Sequence, residues 1–148
     1  MERRRVAITG AGMITAVGKN RDDSWNALKA GTIGVSNIEA FDTTDYKVRF
    51  AGEIKDFDPL VAMDPKDVRK ADRYAQLAIC AAEEAVAHSA VGEVDPLRAG
   101  VIIASGIGGM MTFEEQHAKL VERGPSRVSP MFIPMMIADM ASGLVSIR

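Results

Sequence analysis

Gly100-Val101-Ile102-Ile103-Ala104-Ser105-Gly106-Ile107-Gly108-Gly109 is an unbroken apolar run that ends abruptly in glycine. Such a run predicts a strand buried on both faces. The glycines beyond it permit positive φ and let a second backbone or a ligand come close, while Ile107 sets one bulky side chain among them. Ile107 is therefore a candidate pocket-wall residue, and the plainer alternative is a core isoleucine in a strand-to-helix turn.

The rest of the chain sets bounds on that reading. Its 148 residues fit one ordinary domain, and 47% hydrophobic with 26% charged residues is a globular balance. A net charge of −2 gives no global attraction to nucleic acid, so recognition by charge has to come from a local patch. The single cysteine excludes an intramolecular disulfide and suits a reducing, cytoplasmic setting. Arg3-Arg4-Arg5 before the apolar Val6 to Gly18 imitates a signal peptide, but glycines and threonines dilute the run and no small-x-small cleavage site follows. No segment approaches the roughly 20 apolar residues of a membrane span.

Val6-Ala7-Ile8-Thr9 predicts a second buried strand, leading into Gly10-Ala11-Gly12-Met13-Ile14-Thr15. That pattern opens like a dinucleotide fingerprint and then fails. Thr15 stands where the third small residue belongs, and Gly18-Lys19-Asn20 interrupts the chain before a helix can begin. A helix is predicted from Arg21 to Ala30, capped by Asn20, favoured by Asp22 and Asp23, buried through Trp25 and Leu28, and stopped at Gly31. Gly34 to Thr44 reads as loop, and the alternation of Tyr46, Val48 and Phe50 with Lys47 and Arg49 predicts a half-buried strand.

From Asp64 the period becomes helical. Lys66, Arg69, Lys70 and Arg73 fall at i, i+3, i+4 and i+7, so one helix face carries a basic stripe, either a receiver for an acidic partner or a solvated surface. Asp72 to Ser89 is a helix with a stripe of mostly small residues: Ala75, Ala78, Ile79, Ala82, Val86 and Ser89. Cys80 lies within it with no histidine one turn away, which predicts an inert packed thiol. His88, near the helix end, has a structural role in its charged form. Neither it nor His117 has a metal-ligand partner nearby, and no cofactor is expected.

Thr112-Phe113-Glu114-Glu115 matches a capping box for a helix whose inner face is Phe113, His117, Leu120 and Val121 and whose stop is Gly124-Pro125. Ser129-Pro130-Met131-Phe132-Ile133-Pro134 is a stiff apolar connection, with Phe132 either a pocket wall or a core aromatic and Pro134 opening a last helix. That helix, Met135 to Arg148, is apolar around most of its circumference and carries no stop signal. Two buried strands cannot cover this many helices, so the chain is expected to end in mid-domain, with poor solubility from its uncovered faces.

Four stretches taken together resemble the β-ketoacyl-(acyl carrier protein) synthases, nearest in pattern to the type II elongating members of bacterial fatty acid synthesis. They are Arg5 to Gly12, Ala51-Gly52-Glu53-Ile54-Lys55-Asp56-Phe57, Ala104 to Gly109, and Gly124-Pro125-Ser126-Arg127-Val128-Ser129-Pro130, in family order. The resemblance implies an α/β, thiolase-like fold of layered αβαβα architecture, of which residues 1–148 are an incomplete N-terminal half, truncated before the catalytic cysteine. It implies a homodimer that decarboxylates malonyl-carrier and condenses the carbanion with a cysteine-bound acyl chain, helped by two histidines. Neither the nucleophile nor those histidines fall within this chain, so the chain alone is expected to be inactive.

By the same resemblance Ile107 gates the acyl pocket, Phe132 lines the neighbouring subunit's pocket, and Lys66, Arg69 and Lys70 dock acyl carrier protein with its phosphopantetheine-linked acyl or malonyl group. Two other classes compete. One is a non-catalytic partner subunit of a condensing enzyme, and the other a dinucleotide-binding module, suggested by Gly10-Ala11-Gly12 alone.

Overall fold

A computed structural model describes residues 5–148; Arg3 and Arg4 lie outside the described residues. The helices are α1 (Arg21–Lys29), α2 (Pro65–Val68), α3 (Arg73–Ser89), α4 (Met110–Arg123), α5 (Phe132–Met136) and α6 (Met140–Ile147). Strands β1 (Ser36–Asn37) and β2 (Phe50–Ala51) pair antiparallel, Ser36 with Ala51 and Asn37 with Phe50.

α3 organises the core. Met63, Ala71, Ala75, Ile79 and Ala141 form the buried cluster, with Val68, Tyr74, Ala78, Ile103, Leu144 and Val145 packed around it. Small side chains on α3 allow α6 to lie close on one side. On another, the extended N-terminal segment runs so near the helix that a Cβ at Gly10 would sit 2.1 Å from the Ala85 carbonyl oxygen, and one at Gly12 1.9 Å from that of Ala81. Glu84 fastens this segment, its carboxylate accepting the backbone N–H groups of Met13 and Arg21, each at 2.8 Å.

α1 follows its sequence signals: the Asn20 side chain accepts from the Asp23 N–H, Asp22 and Asp23 occupy the first turn, and Gly31 follows at φ 70°. Its buried side differs from expectation. Trp25 and Leu28 are more than half exposed, and the buried residue is Ser24, whose Oγ lies 3.0 Å from Thr15 Oγ1. Gly18 fits so closely against this residue that a Cβ there would lie 2.2 Å from the Ser24 backbone nitrogen.

Among the described residues the two predicted inner strands form no paired strand. Val6 and Ile8 are 90% and 91% exposed, and Ile102 is 99% exposed while Ile103 packs on the core. A doubly buried strand needs neighbours on both edges and layers on both faces, and the described residues provide one layer. The Tyr46 to Phe50 alternation shrinks to β2, and the predicted loop before it contributes β1.

Other corrections concern where helices break. The basic stripe does not ride one helix: α2 ends with Arg69 as its C-cap, and α3 starts afresh with Asp72 as its N-cap. The predicted last helix is two helices, because Ile137 is extended and interrupts the chain between α5 and α6; Pro134 lies inside α5. α4 begins three residues earlier than the capping box requires, after Gly109, and buries Thr112 and Gln116 while Phe113, Leu120, Val121 and His117 stay largely exposed. Gln116 Oε1 accepts the Ser129 N–H at 2.7 Å, which holds the two-proline connection against α4.

Candidate functional site

The glycine turn after Ala104 is built for backbone contact. Ser105 Oγ accepts the Gly108 N–H at 2.9 Å, Gly108 takes φ +87°, and the Gly109 N–H donates to the Met136 carbonyl at 2.7 Å. A Cβ at Gly108 would meet the Met136 carbonyl oxygen at 2.3 Å, and one at Gly109 the Met135 carbonyl oxygen at 2.5 Å. Only glycine permits both the conformation and the approach. The turn is thus pressed onto α5, the helix that begins with Phe132.

Ile107 stands out of this turn, 70% exposed. Phe132 is half-buried, its ring 6.1 Å from that of Phe113. The structure therefore brings the elements bearing the two candidate pocket residues into direct backbone contact.

Lys66 on α2, Arg69 at its end and Lys70 just beyond are all exposed, and none makes an ion pair among the described residues. Arg73 leaves the group. Its guanidinium donates to the Ile54 carbonyl at 2.5 Å and lies 5.3 Å over the Phe57 ring, so its charge serves packing between α3 and the preceding loop.

The remaining chemistry-bearing groups have structural occupations. Cys80 is buried, with Sγ 3.8 Å from the Pro59 carbonyl oxygen, and burial pushes its thiol above the usual value, with further pressure from Asp58 and Glu83 against the opposing charge of Arg148. That is the reverse of an activated nucleophile. His88 Nδ1 accepts the Ala11 N–H at 3.1 Å, so it ties the N-terminal segment to the end of α3, a structural role. His117 stacks on Phe113 with ring centroids 6.2 Å apart. No group of three His, Cys, Asp or Glu residues among the described ones is arranged to hold a metal, and no helix among them is long and apolar enough to cross a membrane.

A cleft of about 740 Å³ lies between α3 and the loops at Lys19-Asn20 and Asp56-Phe57-Asp58, lined also by Cys80, Glu83 and Glu84. None of the five sequence-predicted site residues borders it. Gly10 and Gly12 are pressed on α3, and the chain after them forms a tight turn, Thr15 with Gly18, where a phosphate-binding helix would have to begin.

Sequence reasoning missed Asp72, Tyr74 and Gln116 as organising residues. Asp72, 6% exposed, accepts both the N–H and the hydroxyl of Thr112 through Oδ2, at 2.9 and 2.6 Å. The only local signal was its position before a helix, which marks a cap for α3 and says nothing of α4.

Comparison with known proteins agrees with this architecture. Residues 3–148 match the family model described as Beta-ketoacyl synthase, N-terminal domain. The chain is 43% identical, over its whole length, to 3-oxoacyl-[acyl-carrier-protein] synthase 2 of Synechocystis sp., and 48% identical, over 99% of its length, to the synthase of the same name from Staphylococcus aureus strain COL. It spans 36% of the length of each of these relatives. Among solved structures, the ishigamide ketosynthase/chain length factor superposes with a TM-score of 0.82 at 24% identity, covering 98% of this chain and 37% of that one. A type II PKS acyl-carrier protein in complex with its ketosynthase, bound to the hexaketide, gives 0.80 at 23% identity, covering 98% and 38%. The expected fold class stands: the chain adopts part of the thiolase-like ketosynthase fold.

Proposed function

This chain belongs to the β-ketoacyl synthase family, and on that premise we propose that it forms the N-terminal part of a condensing enzyme of fatty acid elongation. The observation that carries this reading is the match of the whole chain, at 43% identity and more, to synthases of one name.

In the proposed reaction a cysteine thiolate attacks an acyl-carrier thioester, forming the acyl-enzyme and releasing the carrier thiol. Malonyl-carrier then loses carbon dioxide, and the resulting carbanion attacks the acyl-enzyme carbonyl. A carbon–carbon bond forms and the cysteine thiolate leaves. The thiolate and the two histidines come from residues other than Cys80, His88 and His117, whose surroundings suit none of these steps. The domain assignment of residues 1–148, ending before the nucleophile, is part of the proposal.

The parts assigned to this chain concern recognition. Ile107, held on a rigid glycine turn, forms a wall of the acyl pocket, and Phe132 on the adjoining helix faces the pocket of the partner subunit in a cytoplasmic homodimer. Lys66, Arg69 and Lys70 receive the acidic acyl carrier protein. Their exposure and lack of ion-pair partners among the described residues support that role, since an exposed free cation steers and positions an acidic partner at little desolvation cost.

Titration of acyl carrier protein onto the chain, and onto a variant carrying Lys66→Glu, Arg69→Glu and Lys70→Glu, tests the docking role. Charge reversal is expected to weaken binding by roughly tenfold or more and to reduce its salt dependence. Equal affinities would overturn it. Incubation with radiolabelled acyl-carrier is expected to leave Cys80 unmodified, and a stable acyl-thioester there would contradict the assignment of the nucleophile elsewhere.

A further inference from the structure

Asp72 sits where three elements meet. It is the N-cap of α3, its Oδ1 accepting the Tyr74 N–H at 3.3 Å. Through Oδ2 it takes the N–H and the hydroxyl of Thr112 in the first turn of α4, forty residues further along. That helix needs the help, because its own N-cap is Gly109, with no side chain to offer, and its first turn holds no acidic residue. The same oxygen lies 2.9 Å from where a Cβ on Gly109 would be, so the glycine turn is packed against the carboxylate as well as against α5. Tyr74, two residues on, reaches the third element through its hydroxyl bond to Ile137 between α5 and α6.

On the sequence side of Asp72 stand Arg69 and Lys70, two or three residues back. On the spatial side stands the start of α4, which the Ile107 turn directly precedes. Electrostatics favours this arrangement, since an anion at the N-terminal ends of two helices is stabilised by both sets of free N–H groups. We infer that Asp72 is a positioning residue: its carboxylate fixes the Ile107 turn relative to the Lys66-Arg69-Lys70 segment. Resting on the function proposed above, this sets the geometry between the carrier-docking surface and the acyl-pocket wall, so that carrier binding registers at the start of α4.

The test uses backbone amide signals of the 148-residue chain. Asp72→Ala is expected to speed hydrogen exchange at the Gly109 and Thr112 amides by about tenfold or more, while the mid-α3 amides from Ala78 to Ala82 change less than about twofold. Thr112→Ser, which keeps the hydroxyl, should behave as the parent. Unchanged exchange at Gly109 and Thr112 overturns the positioning role. If Asp72→Ala loses α3, Thr112→Val takes its place, with an expected increase of about threefold at the same two amides, and no increase again overturns the role.

A second arm adds acyl carrier protein. In the parent chain the signals of Arg69, Lys70 and Thr112 shift together; in Asp72→Ala, or in Thr112→Val where that variant stands in, those of Arg69 and Lys70 still shift and that of residue 112 does not. A shift at residue 112 that persists in the variant contradicts the link between docking and the turn. Carrier that shifts no signal in any chain defeats the docking reading, and the exchange result then decides the positioning role by itself.

Discussion

The hydroxyl of Tyr74 donates a hydrogen bond to the carbonyl oxygen of Ile137 at 2.5 Å, joining the first turn of α3 to the extended link between α5 and α6. The link is where the apolar C-terminal segment bends, and there the Ile137 carbonyl, which accepts the Met140 N–H at 3.3 Å, takes a second, shorter bond. Tyrosine supplies the donor while its ring packs against the core cluster.

Tyr74→Phe should therefore lower stability by about 1–2 kcal/mol in urea unfolding, the cost of one part-buried hydrogen bond. Its pH dependence is distinctive. Burial, then the charges of Asp72 and Asp139, raise the phenol above its ordinary value of 10.0. The folded chain holds that proton more tightly than the unfolded chain, so the linked stability is fully present below pH 10 and is lost as pH rises through the raised value. The parent should lose stability in that alkaline window more steeply than Tyr74→Phe. Parallel profiles would refute the assignment.

Gly12→Ala should destabilise more than almost any other single methyl addition in the chain. Its Cβ would lie 1.9 Å from the Ala81 carbonyl oxygen, a backbone atom of α3 that cannot swing away. A loss of about 1–3 kcal/mol is expected, as for overpacking in general. Gly92→Ala is the control, with nothing within 4 Å of the new atom, and should stay within about 0.5 kcal/mol of the parent. Comparable urea midpoints for the two would show that the N-terminal segment does not lie against α3.

Cys80 should resist modification in the folded chain. Burial raises its pKa first, and Asp58 and Glu83 add to the shift. Near neutral pH, where the thiolate is the reactive form, labelling by an aromatic disulfide reagent is expected to run roughly tenfold or more slower than in the urea-unfolded chain. Equal rates would show that the thiol is neither buried nor raised.

How much of this was legible beforehand depended on the range of the forces involved. The start of α1 at Asn20, the full run of α3, the stop at Gly124 and the inert setting of Cys80 each rest on residues within one or two helical turns, and each followed from spacing and capping alone. The glycines at 108 and 109 predict close approach, and the approach exists; which backbone arrives, that of α5, is not encoded locally. Family membership was legible for a different reason: four weak motifs in fixed order are jointly specific although none is so alone.

The sequence by itself determined the helices whose signals are local, the glycine positions where chains must touch, and the family. Tertiary structure decided the rest. It gave the Asp72 carboxylate to Thr112, turned Arg73 from the basic stripe to Ile54 and Phe57, and left Val6, Ile8 and Ile102 exposed. A helix closes its own hydrogen bonds within four residues, so its sequence suffices. An extended run is completed by hydrogen bonds and layers from elsewhere, and a capping carboxylate goes to whichever helix end the packing brings within 3 Å.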